Sequence, residues 1–248
     1  TAISLTGGSA DVDEVIFSSA VSTAVSVHSG VTGDVTGMSG DADTAIIAMD
    51  STGFTFSDIN MTGSRLVNSW AAGDLTINNA TFESDSPETV IDVRTSANFI
   101  VDGATISGAF TSSQQSYDAP WIAISLAGSG NHILSNLNVE ASNTAITASG
   151  TGSLTVNDSH LFSQNVGVEM SGMATSSLNN LVVNISNGGG HGMDLLQGEH
   201  IFSNVAINMP YNSVEIGSIG IEAWWSTVEV DTLTINGFAT SMELHDTF

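Results

Sequence analysis

The chain has 248 residues, of which 26 are Asp or Glu and only 2 are basic (Arg65 and Arg94), for a net charge of −24. Such a surface repels phosphate backbones, which excludes nucleic acid as a partner, and the absence of Lys excludes a phosphate-loop lysine or a Schiff base. Cys is absent too, which removes disulfides, thiolate metal sites and a cysteine nucleophile, and the favoured small partners are hard cations, above all Ca²⁺.

The first residues, TAISLTGGSADVDEV, lack the basic start and apolar stretch of a signal peptide, so the chain reads as a mature or excised form. Residues 1–43 read as one or two irregular coils with a cap, ahead of one continuous domain over 44–248. No apolar run approaches the ~18 residues of a membrane span. High Ser, Thr, Asn and Gly content suits an extracellular or cell-surface β-protein.

From Thr52 onward one phrase keeps returning: TGFTFSDINMTGS, then SGNHILSNLNVEAS, TGSLTVNDSHLFSQN, TSSLNNLVVNISN and GEHIFSNVAINM. Each alternates apolar and polar residues, breaks at a polar residue or Gly, and resumes. The breaks fall at Asp58, Asn79, Gly103, Asn136, Asp158, Asn180, Asn204 and Thr232, and the spacings between them are 21, 24, 33, 22, 22, 24 and 28. A period near 22 with elastic insertions predicts a stacked solenoid. Asn, Asp and Gly tolerate the left-handed backbone of a one-residue corner, and stacked Asn can hydrogen-bond along the axis. A third strand precedes each phrase: TAIIAM, RLVNSW, TVIDVR, WIAISL, TAITAS, VGVEMS, HGMDLL and GIEAWW. Three short strands per repeat, with no helix between, predict a coil with three faces.

The pattern VGVEMSGMATSSLNNLVVNISN resembles the parallel β-helix repeat of the pectate-lyase-like superfamily. That resemblance implies an all-β, right-handed, three-faced parallel β-helix of about 8–10 coils with an Asn ladder at the tight corner. It is weak for function, because the fold hosts lyases, hydrolases, esterases, adhesins and phage tailspikes. In the enzymes of that superfamily the strand face before the phrase, with the loops at its edge, forms a saccharide groove. The insertions SGAFTSSQQSYDAP (107–120), SNGGG (186–190) and NMPYNSVEIGSIG (208–220) all fall on that edge.

The outward position of each such strand reads Ile47, Asn68, Asp92, Ala123, Thr147, Glu169, Asp194 and Glu222. Glu169, Asp194 and Glu222 are then expected as a stack of carboxylates about 4.8 Å apart. Trp70, Asp92, Arg94, Trp121 and Trp224 are expected on the same face, as stacking and hydrogen-bonding groups for a polysaccharide. Three readings of the stack stay open: an acid/base pair of Glu169 and Glu222 for inverting hydrolysis, a Ca²⁺ site of Glu169, Asp194 and Glu222, or a solvated acidic stripe. Gly190-His191-Gly192 matches a tripeptide of the polygalacturonase-type hydrolases, but their Asn-Thr-Asp, Asp-Asp and Arg-Ile-Lys motifs are missing, so His191 reads as an exposed loop residue. The acidic loops 9–14, 39–43 and 83–88 lack EF-hand spacing, and the sequons at Asn60, Asn79, Asn157 and Asn184 are unremarkable in so Asn-rich a chain.

The expectation for function is a non-catalytic extracellular scaffold such as an adhesin, a surface-layer or filament subunit, or a spacer. The alternative is a polysaccharide lyase or inverting glycoside hydrolase. A chain this acidic repels uronic-acid polymers, which favours the scaffold and leaves neutral glycans as ligands. Open coil ends without a Pro-rich block or capping helix, acidic at Asp11, Asp13 and Glu14 and at Glu243 and Asp246, predict association with itself only when Ca²⁺ or high salt screens the acids.

Overall fold

The computed structural model describes residues 1–50, 53–70, 73–108, 122–140, 142–210 and 217–247. Among them there is no helix, and every pairing between strands is parallel. The chain winds into a parallel β-solenoid of three strand stacks. One coil shows the plan: Val166–Ser171 lies on the first face, and Thr175–Ile185 supplies the other two by bending at Asn180. Strand Ile3–Met49 carries the first coils, whose residues 33–41 pair in register with 54–62.

Alternation explains the winding. In Ser153–Ser163 the side chains of Leu154 and Val156 point inward before the corner, and Ser159 and Leu161 point inward after it. Asp158, at the bend, takes φ 48° and shifts the alternation by one residue, so both flanks face the same interior. The core is a single column of Phe, Ile, Leu, Val and Met running the length of the molecule, with Phe54, Phe56, Phe82, Phe99 and Phe202 among its largest members. Two histidines interrupt it. The interior stack Phe54, Leu75, Phe99, His132, Leu154, Ser176, His200 buries both imidazoles to 1% exposure. Burial lowers the pKa of His132 and pushes His200 down to about 4. His200 Nδ1 keeps one partner, the Ser176 hydroxyl at 2.8 Å.

The corner column is left-handed at Asp58, Asn79, Gly103, Asn136, Asp158, Asn180 and Asn204. Its amides form the expected ladder: Asn180 Nδ2 donates to Asp158 Oδ1 at 2.9 Å, and Asn204 Nδ2 donates to Asn180 Oδ1 at 2.9 Å. Where Gly103 offers no side chain, Asn136 reaches one residue aside, to Asp102 at 2.6 Å. Thr232 departs from the expectation. It stacks after Asn204 but does not adopt the left-handed backbone, which a β-branched residue resists. Further amide ladders run Asn184–Asn208–Asn236 and Asn143–Asn165–Asn187. A second corner, after the first face, is left-handed at Gly128, Gly150, Gly172, Gln197, Trp225 and Asp246.

Candidate functional site

The first face carries two outward columns, read directly from the strand register. The first runs Ile47, Asn68, Asp92, Ser125, Thr147, Glu169, Asp194, Glu222, Glu243. The expected acidic stack is present in register and continues one rung further, to Glu243. One rung differs from expectation: Ser125 holds the position read as Ala123, and Ala123 is buried. The second column runs Met49, Trp70, Arg94, Ala127, Ser149, Ser171, Leu196, Trp224, His245.

These columns split the expected ligand-binding residues into two patches. Trp70, Asp92 and Arg94 sit together on neighbouring rungs, whereas Trp224 lies five rungs beyond Arg94, about 24 Å away at ~4.8 Å per rung. Asp92 is 5% exposed, and Arg94 holds both of its oxygens, Nε at 3.2 Å from Oδ1 and a terminal nitrogen at 3.1 Å from Oδ2. Trp121 lies outside the described residues, as do 109–120 and 211–216 of the insertions.

The second patch is built on four strands: Val166–Ser171, His191–Asn208, Ile219–Val230 and Thr240–His245. Three of them open with the same motif, a residue, Gly, an apolar residue and an acid: Val166-Gly167-Val168-Glu169, His191-Gly192-Met193-Asp194 and Ile219-Gly220-Ile221-Glu222. On a regular strand, positions three apart face opposite ways. Here the two middle residues both point inward, so the first and fourth residues share the outer side. Space restricts the second position to Gly. A Cβ on Gly192 would lie 2.3 Å from Ile207 Cγ2 and 2.4 Å from the Gly220 carbonyl.

His191 is therefore not an exposed loop residue. It opens a strand and is three-quarters buried, with 26% of its side chain accessible. The preceding loop is tied to the coil below, since Asn187 donates to Asn165 through its side chain and the His191 N–H donates to the Asn165 carbonyl at 2.7 Å. The imidazole then lies between two carboxylates, with Nδ1 2.6 Å from Asp194 Oδ1 and 3.4 Å from Glu222 Oε2. The Asp194 hydrogen bond raises the His191 pKa against the opposing cost of burial, and the charges of Asp194, Glu222 and Glu243 add to it.

One donor atom from each of His191, Asp194 and Glu222 lies within 4.8 Å of the others, the set best arranged to hold a cation among the described residues. Glu169 lines the adjoining cavity but is not one of the three. Glu222 also accepts the Trp224 indole N–H at 2.8 Å. Trp224 stacks on His245 with ring centroids 3.6 Å apart and planes 13° from parallel. His245 Nε2 in turn lies 3.0 Å from Glu243 Oε1. The next residue, Trp225, is 56% exposed in the left-handed region at φ 51°, a conformation costing a bulky residue about 1–2 kcal/mol.

An open cavity of about 280 Å³ runs over this patch, walled by Glu169, Asp194 and Glu222 on one side and by Ser171, Leu196 and Trp224 on the other. It joins an acceptor row to an apolar and aromatic row across neighbouring rungs. Chemically it can accept hydroxyl protons, stack against the apolar face of a ring and hold a cation. Comparison with family models, with curated proteins and with solved structures returned no match.

Proposed function

We propose that the chain is a non-catalytic scaffold of the cell surface or extracellular space, and that it binds a neutral glycan across the C-terminal patch of its first face. The observation that carries this reading is the pairing of a carboxylate row with an apolar row in one groove: Glu169, Asp194 and Glu222 beside Leu196 and Trp224. Sugar hydroxyls donate to carboxylates, while the C–H face of the ring packs on indole. The cavity is smaller than the ~300–1,000 Å³ of most small-molecule sites, which suits one unit of a longer chain lying across the surface.

Charge selects the class of glycan. Both cations are already engaged, Arg94 by Asp92 and Arg65 by Glu88 at 3.2 Å, so an acidic polymer would meet carboxylates with no counter-charge. The stable, ladder-bound coil and the Cys-free, Ser/Thr/Asn-rich surface support the extracellular placement. Affinity electrophoresis against immobilised neutral and uronic-acid polysaccharides tests the reading. Retardation by a neutral polymer, with no new reducing ends after prolonged incubation, is expected. Retardation by acidic polymers alone would overturn it. Release of reducing ends would transfer the site to the hydrolase class, with Glu169 and Glu222 as the carboxylates to examine.

A further inference from the structure

The donor set at the centre of the patch is chemically mixed, and that distinguishes it from an acidic stripe. A Ca²⁺ site is built from oxygen ligands, and an imidazole has no place in one. Imidazole nitrogen with two carboxylates is instead a ligand set of Zn²⁺ and its first-row neighbours. We propose that His191, Asp194 and Glu222 form a transition-metal site, with Zn²⁺ as its natural probe.

Three observations bear on it. First, the donors converge without rearrangement of the backbone. A tetrahedral ion with ligands at ~2.0–2.2 Å needs its donors about 3.4 Å apart. The donor pairs lie 2.6 Å and 3.4 Å from His191 Nδ1, and all three donors fall within 4.8 Å of one another, within reach of small side-chain rotations. Second, the frame is rigid where it needs to be. The three residues sit on two hydrogen-bonded strands in fixed register, Asp194 opposite Glu222, and His191 is held by the Asn165 carbonyl. Third, an outer layer is in place. Trp224 donates to the second oxygen of Glu222, and the stacked His245 lies 4.0 Å from that same oxygen, Oε1. Partners of this kind orient a ligating carboxylate and tune the metal. The cavity on the remaining side, floored by Leu196 and walled by Glu169, leaves a coordination position open to water or to a ligand hydroxyl.

The site goes beyond glycan binding and is tested without any glycan. The full chain is titrated with Zn²⁺ by calorimetry in a buffer containing excess Ca²⁺, which saturates the unspecific acidic surface. One equivalent of Zn²⁺ is expected to bind. Affinity should fall at least about tenfold in His191→Gln and in Glu222→Gln, and remain unchanged in His160→Gln, whose imidazole lies on another face. The visible absorption of bound Co²⁺ gives a reading on the unaltered protein: intense bands of a four- or five-coordinate ion are expected. Absence of stoichiometric Zn²⁺ binding, binding indifferent to both glutamine variants, or a Co²⁺ spectrum like that of the hydrated ion would each overturn the proposal. Because the Co²⁺ reading needs no variant, a substitution that fails to fold does not shield it.

Discussion

At the N-terminal end of the first face, Asp92 is buried and its two oxygens are filled by Arg94 of the same strand. At the C-terminal end, Asp194 and Glu222 occupy the same column, yet no Arg or Lys is available to them, and their neighbour is His191. The two patches share fold, register and face. They differ in whether the compensating charge is permanent or exchangeable. A guanidinium closes its site; an imidazole can release its proton to solvent and offer the freed nitrogen to a metal, or yield its hydrogen bond to a ligand. The cross-section differs as well. The inward position filled by Leu66 and Val90 near the first patch becomes Gly192 and Gly220 near the second, where the wall of Ile207 and Ile235 stands close. The paired inward residues are common to both ends, as Leu66-Val67 and Val90-Ile91 show, so what sets the second site apart is the His, Asp and Glu carried on either side of them.

The largest effect is expected from undoing that narrowing. Gly192→Ala forces a methyl onto a backbone oxygen and a packed isoleucine, and should cost about 3 kcal/mol or more in urea denaturation. Ala145→Gly, at the same inward position two rungs earlier, should cost only about 1 kcal/mol. Similar costs for the two would show that the coil does not narrow between them.

Acid sharpens the contrast between histidines. His200 is neutral in the folded chain down to about pH 4, against an ordinary value of 6.5, so the native state takes up its proton later than the unfolded one. Stability on this account is intact above pH 6.5 and falls by up to about 3 kcal/mol as pH drops from 6.5 to about 4. His191 has the opposite sign: its raised pKa contributes stability that is complete below 6.5 and is lost as pH rises through its folded value. His200→Leu should flatten the acid limb relative to the parent, and identical slopes for the two proteins would refute the assignment.

A smaller effect, about 2 kcal/mol, is expected for Asn180→Leu, which puts a branched side chain at φ 49° and removes a bond on each side of the ladder. Thermal and urea melts check it. An unchanged midpoint would mean that the ladder is ornamental.

The corner, the coil and most of the acidic column were legible in the sequence because each depends on local chemistry repeated at a fixed period. Asn180 reads as a corner from its residue type alone. The error at Ala123 has a physical origin: on a regular strand residues 123 and 125 share a side, and only the inward pair Ala123 and Ile124 sends Ala123 into the core while Ser125 faces out. His191 was missed because strand parity separates it from Asp194, and only the paired inward residues Gly192 and Met193 bring the two together. The signal was present as a triplicate, in VGVE, HGMD and IGIE. Thr232 shows the reverse limit, since its position in the repeat was right while its β-branched backbone took another path. The splitting of Trp70 from Trp224 follows from the number of rungs between them, which a list of outward residues does not convey.

The comparison of the two patches is tested most directly by calorimetric titration of one neutral oligosaccharide against Trp224→Ala and Trp70→Ala. Both residues are exposed on the same column, at 36% and 44%, so the variants remove comparable surfaces. Trp224→Ala is expected to weaken binding at least about tenfold, or 1.4 kcal/mol, while Trp70→Ala leaves it within about twofold. Equal losses, or a loss confined to Trp70→Ala, would contradict this expectation.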